Sequence, residues 1–372
     1  MANTKELKLK SQKSGVDFWL LLVSLVLVVI GLIVIYDASV VTAFQNFNDK
    51  FHFIKNQLVW AVFGTISLGF FSFFDYHKLL KLSRYFLIGS VVTLILVLIP
   101  HVGAQVLGAR RWINIGGLTF QPSEFAKLAL VFYATDIISK FQNYKMRIRD
   151  TVLVYFLPIL IVTGLVIIEP DLGTALVFLA AIVVIYFIAQ APILHFFLAI
   201  PAVALAAVIS LFTHPYRLER IKAYLDPAYD PQGASYQINQ IIIALSSGGL
   251  LGVGPGSARS KFEFIPEVQS DAIFAVITEE VGFLGAVLLI LLFMFLVTRI
   301  IKIAKNAPDF EGMVLAGGIA GLLAMQIILN LSAIVALIPL TGIPLPFISY
   351  GGSSLFITLS AIGIVTNIKK QS

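Results

Sequence analysis

Apolar runs of about twenty residues recur along the whole 372-residue chain, and the short connections between them carry most of its charge. With a rise of about 1.5 Å per residue, such a run crosses the ~30 Å hydrocarbon core of a bilayer as a helix. Ten can be placed, at 17–38, 55–74, 84–100, 122–140, 151–169, 171–189, 192–213, 271–299, 311–337 and 346–367. The pattern predicts an all-α integral membrane protein of about ten transmembrane helices, a single polytopic domain over 1–372. The first run follows the basic stretch MANTKELKLKSQKSG, is longer than a signal-peptide core and lacks a small-x-small cleavage site. It reads as an uncleaved first span.

Composition agrees, with 59% hydrophobic and 12% charged residues and a mean hydropathy of +0.95, too apolar for a soluble chain to bury. The formal charge of +6 raises nucleic acid as a partner. The basic residues instead form small groups between spans, which is a topological signature, so no nucleic-acid partner is predicted. With the N-terminus inside, inward segments hold sixteen Lys and Arg and outward segments nine, with Lys127 inside a span. That bias puts both termini in the cytoplasm and 101–121, 338–345 and a large loop at 214–270, between spans seven and eight, outside.

The large loop has internal order. In YRLERIKAYL, Leu218, Ile221 and Leu225 share one helical face while Arg217, Arg220 and Lys222 lie elsewhere, the pattern of a helix at headgroup level. After the turn-rich DPAYDPQG, the stretch YQINQIIIALSSGG is too short to cross and ends at Gly248 and Gly249. A surface or re-entrant helix is predicted.

Four stretches carry candidate chemistry. Asp271 stands where the loop 248–270 enters a long apolar run. It either caps that helix or, with Lys261, Glu263, Glu267, Glu279 and Glu280 within ten residues, serves as a general base whose pKa is raised by partial dehydration. Glu279 and Glu280 are expected two to three turns deeper, where an ionised group costs about 2.5–3.5 kcal/mol. In GARRWINIGGLTFQPSEFAKL, Pro122 suits a first helical turn, placing Glu124 in that turn and Lys127 three residues on. This is a local ion pair or the wall of a cavity. Arg110 and Arg111 beside Trp112 are an interfacial anchor or a phosphate grip. Asp171, after Pro170, reads as a helix cap. In PLTGIPLPFISYGGSSL, prolines and glycines interrupt an apolar stretch, either lining a cavity or making a tight turn.

Other chemistries lack their signatures. Gly252, Gly254 and Gly256 have neither a preceding strand nor a GK[ST] ending, so no nucleotide is predicted. The five His residues lack ligand spacing and there is no Cys, so no metal site is assigned.

The strings NQLVW, GARRWI, QPSEFAKLAL, EPDLGT, DPQGASYQINQ, SSGGLLGVGPGSARSKFEFIPE, SDAIFAVITEEVG and TGIPLPFISYGGSSL, in this order over nearly the whole chain, closely resemble the SEDS family (shape, elongation, division and sporulation), whose branches include FtsW, RodA and SpoVE. Relatives usually have His-Thr-Asp-Phe where Gln269, Ser270, Asp271 and Ala272 stand; the Asp is kept. The resemblance implies a peptidoglycan glycosyltransferase that polymerises lipid II at the outer face of the bacterial cytoplasmic membrane. It maps the catalytic acid onto Asp271, the cavity Glu and Lys onto Glu124 and Lys127, and the important Arg before Trp112 onto Arg111. Lys127, Arg111 and Lys261 would stabilise pyrophosphate charge, and a divalent cation, Mg or Mn, bridging pyrophosphate and carboxylates fits the chemistry although no spacing demands it. The implied partners are lipid II, undecaprenyl-pyrophosphate-linked glycan, a class B penicillin-binding protein as transpeptidase, and other divisome or elongasome membrane proteins. The short GPGSARSKFEFIPE spacing favours the FtsW branch, at the division septum, over RodA. A lipid II flippase using Glu124, Lys127, Glu279 and Glu280 as a polar path, or a non-catalytic division scaffold, are the competing readings.

Overall fold

The computed structural model describes residues 15–106, 109–141, 147–191, 215–226, 228–233, 235–262 and 265–372. The expected span 192–213 and Glu263 lie outside the described residues. The other nine expected spans are helices: α1 (Phe18–Phe47), α2 (His52–Phe73), α4 (Ser83–Leu98), α5 (Pro122–Lys140), α6 (Ile148–Ile168), α7 (Leu172–Ile188), α10 (Ile273–Lys305), α11 (Phe310–Ile334) and α12 (Gly352–Gln371). Short helices complete the set: α3 (Tyr76–Lys81), and in the large loop α8 (Pro215–Leu225) and α9 (Tyr236–Ser247). The expectation of a purely helical chain needs one correction. The segment between α4 and α5 is a three-stranded antiparallel sheet, β1 (Gly103–Val106), β2 (Ala109–Ile115) and β3 (Leu118–Phe120). Gly116 and Gly117, at φ 60° and 87°, join Ile115 to its partner Leu118 in the two-residue turn that needs φ > 0 at both positions.

Polar and small residues gather at the centre. Helices α5 and α12 are buried on nearly every side, while α1, α2, α4 and α10 turn large apolar side chains such as Ile33, Phe73, Ile88 and Leu288 outward. Between apolar tails and apolar side chains there is little hydrophobic drive, so close approach and interhelical hydrogen bonds hold such helices together. The α2–α12 seam shows both. Gly64 and Gly363 admit Leu359 and the Leu68 backbone, and Ser67 Oγ meets Ser360 Oγ at 2.6 Å.

Helices α1 and α10 run antiparallel and are pinned at two levels. Near the cytoplasm Arg299 donates to Asp17 at 2.5 Å. At the other end Lys261 bridges Asp37 at 2.9 Å and Glu280 at 3.3 Å. Asp17 and Asp37 are twenty residues apart on the chain, a rise of about 30 Å, which matches the hydrocarbon thickness. Two residues past Glu280, Gly282 breaks α10 with φ 69° and ψ −173°. The arm from Gly282 to Lys305 is about 36 Å long and crosses alone, freeing the upper arm, Ile273–Val281, from the spanning role.

At the inner boundary, His77 lies between Asp75 (2.8 Å) and Asp309 (2.9 Å), and Asp309 also accepts from Tyr76 Oη at 2.6 Å. Burial pushes the Asp309 carboxyl up, but Tyr76, the Gly312 N–H and His77 outweigh it and leave the group below its usual range. His77, which burial pushes down, is held above its usual value by Asp75 and Asp309. The imidazolium bridge is thus at full strength below about pH 6.5 and is lost as pH rises through the raised value, whereas the carboxylate contribution is lost on acidification. Between about pH 6.5 and pH 9, the thermal midpoint should fall further for the native chain than for His77→Gln; parallel profiles would refute the bridge. At the break, a Cβ on Gly282 would lie 2.3 Å from Gly252 N and 2.5 Å from Leu250 O. Gly282→Ala should therefore cost about 2–3 kcal/mol or more, read as a lowered thermal midpoint in detergent.

Candidate active site

The irregular segment between α11 and α12, residues 335–351, is where the outward-facing groups converge. Pro339, Pro344 and Pro346 exclude a continuous helix, and Ala336, Gly342 and Phe347 adopt φ of 57°, 69° and 66°. Carbonyls left free by such a break must find donors where no water reaches. Asn330 Nδ2 donates to Ile343 O at 2.7 Å and to Asp271 O at 2.9 Å. One turn below, Gln326 Nε2 donates to Pro344 O at 2.9 Å. From the loop side, Arg220 Nη1 of α8 donates to Leu340 O at 3.1 Å and Tyr224 Oη to Leu337 O at 2.9 Å.

Asp271 is fixed through its backbone, and its carboxylate is not spent on a cap. The cap position of α10 is Ala272, without a side-chain bond, whereas Asp171 does cap α7, accepting from Thr174 N at 3.0 Å. A Cβ at Gly342 would stand 3.8 Å from Asp271 Oδ2, so the Gly342 backbone lies alongside the carboxylate. Burial raises the Asp271 pKa, and the Arg220 guanidinium opposes the rise. Glu267 is raised by burial and by the charge of Asp271. The result is a carboxyl poised to exchange a proton, with a cation beside it.

The remaining predicted residues fall into three groups. Glu124 and Lys127 form a 2.7 Å ion pair with both side chains under 5% exposed, and Lys127 also donates to Gln326 Oε1 at 3.0 Å. A polar line therefore runs from Glu124 through Lys127 and Gln326 to the Pro344 carbonyl. Arg111 grips the α6–α7 turn through the carbonyls of Glu169 and Pro170. Glu169 is fully buried there; burial, helped by Asp171 and opposed by Arg111, pushes it up to about 9, which keeps it neutral at pH 7. Gly173 in turn packs against Thr341 O and Ile343, so this corner abuts the far side of the irregular segment. Trp112, half-buried, points to the opposite face of β2 from Arg111.

Lys261 is engaged elsewhere, bound by Asp37, Glu280 and the Gly256 carbonyl (2.6 Å). Glu279 accepts from Arg259 N, Ser260 N and Ser260 Oγ, and Glu280 from Gly256 N and Ala258 N. Both acids organise the 252–261 loop. Three groups of the site escaped sequence reasoning, namely Gln326, Asn330 and the reach of Arg220. The signal for the first two was an amide pair four residues apart in an apolar run.

Comparison with known proteins fits this geometry. A family model described as "Cell cycle protein", covering FtsW, RodA and SpoVE, matches residues 18–372. The chain is 41% identical to stage V sporulation protein E of Bacillus subtilis, over 97% of this chain and 99% of that one. It is also 41% identical to a probable peptidoglycan glycosyltransferase FtsW of Trichlorobacter lovleyi, over 95% and 92%. Among solved structures, one from work on how a peptidoglycan synthase complex coordinates polymerization and crosslinking superposes with a TM-score of 0.77 at 30% identity, over 95% of this chain and 97% of the other. The Thermus thermophilus rod shape determining protein RodA gives 0.68 at 29%, over 95% and 96%. The chain belongs to the FtsW/RodA/SpoVE family, the SEDS proteins.

Proposed function

We propose that this chain is a peptidoglycan glycosyltransferase that polymerises lipid II at the outer face of the bacterial cytoplasmic membrane, in the manner of FtsW at the division septum. The observation that carries the reading is a partly buried carboxylate, Asp271, not spent on a helix cap and under the charge of Arg220. In the reaction, the 4-hydroxyl of one lipid-linked disaccharide attacks the anomeric carbon of the growing chain. Asp271 takes the hydroxyl proton as the new C–O bond forms. The bond from that carbon to the pyrophosphate breaks, and its electron pair leaves with the polyprenyl pyrophosphate. Arg220 is the guanidinium placed to meet that charge. Arg111, Glu124 and Lys127 hold the walls, and Lys261 holds the neighbouring loop.

Among the described residues no group of three or more His, Cys, Asp or Glu could hold a metal ion, and no step is routed through one. We assign crosslinking to a class B penicillin-binding protein partner. The kinship with a component of a peptidoglycan synthase complex supports that pairing.

In liposomes containing lipid II, Asp271→Asn should lower strand formation by about 10²–10⁴-fold while leaving the thermal midpoint near that of the native chain. Undiminished polymer would refute the base, and translocation without polymer would favour a flippase. Because burial raises the Asp271 pKa, the acid limb of the pH–rate profile should lie above the ordinary carboxylate value of about 4, with activity lost as pH falls through it. Lys127→Met leaves Glu124 charged and alone, at a cost of about 3–5 kcal/mol. The double variant Glu124→Gln, Lys127→Met should regain most of that stability without regaining native activity, measured by thermal unfolding beside the polymerisation assay.

A further inference from the structure

A second built site lies at the opposite, cytoplasmic face. Where α3 meets α4 and the last turn of α5, a cavity of about 430 Å³ is lined by Lys81, Arg84, Tyr85, Ile88, Asp136 and Lys140. Three cations face one acid. That acid is already engaged, since Asp136 Oδ2 accepts from Ser83 Oγ at 3.0 Å and from Lys140 Nζ at 2.6 Å. Lys81 and Arg84 make no ion pair with an acid among the described residues, so the cavity keeps a formal surplus of two positive charges.

The rim is apolar and faces outward from the bundle, with Tyr85 72% and Ile88 59% exposed. A Tyr at the headgroup level with an Ile one turn deeper is the layout of a helix entering lipid. A cavity that sets the exposed Lys81 and Arg84 beside Tyr85 and Ile88 suits a ligand with anionic phosphate and long alkyl chains. Arg84 offers a planar fork for a phosphodiester, and Lys81 and Lys140 add point charges on flexible stems.

We infer that this cavity binds the headgroup of an inner-leaflet phospholipid that carries two phosphodiesters, a cardiolipin-type lipid, with its chains lying along Tyr85 and Ile88. Two phosphates match the surplus of two charges. The site stands on the cytoplasmic side, away from the outward-facing Asp271, and is independent of the glycosyltransferase reading.

The test is native mass spectrometry of the full chain released from phosphatidylcholine bilayers doped with cardiolipin or, separately, with phosphatidylglycerol. The native chain should retain cardiolipin in preference to both other lipids, and excess inorganic phosphate should not displace it. Lys81→Gln with Arg84→Gln should weaken retention about thirtyfold, at about fivefold per cation. Lys55→Gln, which removes a cation from the outer face, should leave retention unchanged. Asp136→Asn removes the local acid and should strengthen it, which keeps the proposal testable even where the double variant folds poorly. Equal retention by the double variant, an equal loss with Lys55→Gln, equal affinity for phosphatidylglycerol, or displacement by inorganic phosphate would each overturn the assignment.

Discussion

Carbonyl groups freed where a helix breaks at membrane depth cannot turn to water, and the outward half of this protein is arranged around supplying them with donors. In the 335–351 segment the carbonyls of Leu337, Leu340, Ile343 and Pro344 accept from Tyr224, Arg220, Asn330 and Gln326. Three of these donors also touch the chemistry. Arg220 sets its charge against Asp271, Asn330 holds the Asp271 backbone, and Gln326 holds Lys127. Repairing the broken backbone and assembling the site are therefore one structural act.

The same constraint operates at Gly282. The interrupted α10 ladder is completed by the loop before it, with Val253 N and Gly254 N donating to the Glu279 and Glu280 carbonyls, and Phe283 N and Leu284 N to those of Gly249 and Leu250. The side chains of Glu279 and Glu280 then collect the N–H groups of Gly256, Ala258, Arg259 and Ser260. Lys261 bridges Glu280 and Asp37. This knot fixes one end of the Ile273–Val281 arm, whose other end follows Asp271.

Much of this was legible in the chain, because long apolar periodicity, Pro122 at a first turn and the Asp171 cap are local signals read without tertiary knowledge. The candidate acid was legible for the same reason, as a carboxylate at an apolar threshold. What was not legible depends on distant partners. Lys261 lies ten residues from Asp271 and was grouped with it, yet its ammonium is captured by Asp37 on the first helix. Arg220 lies fifty-one residues away and is its electrostatic neighbour. The β2–β3 hairpin had a local signal, Gly116-Gly117 between alternating positions, but the Arg-Arg-Trp run drew the reading toward lipid anchoring. Gly282 shows the remaining gap, since a single glycine in an apolar run gives no sign that its helix breaks there.

On the proposed reaction, the placement of Arg220 links the two halves of the chemistry. Burial raises the Asp271 pKa and the Arg220 guanidinium opposes that rise, so the cation favours the ionised form that can accept a proton. As negative charge grows on the departing pyrophosphate, the same guanidinium becomes shared with that charge, and its field at Asp271 is partly cancelled. The proton affinity of Asp271 then rises as the hydroxyl proton moves toward it. Arg220 is carried on the short helix α8, where its guanidinium donates to Leu340 O while Tyr224 donates to Leu337 O, and its charge acts on Asp271.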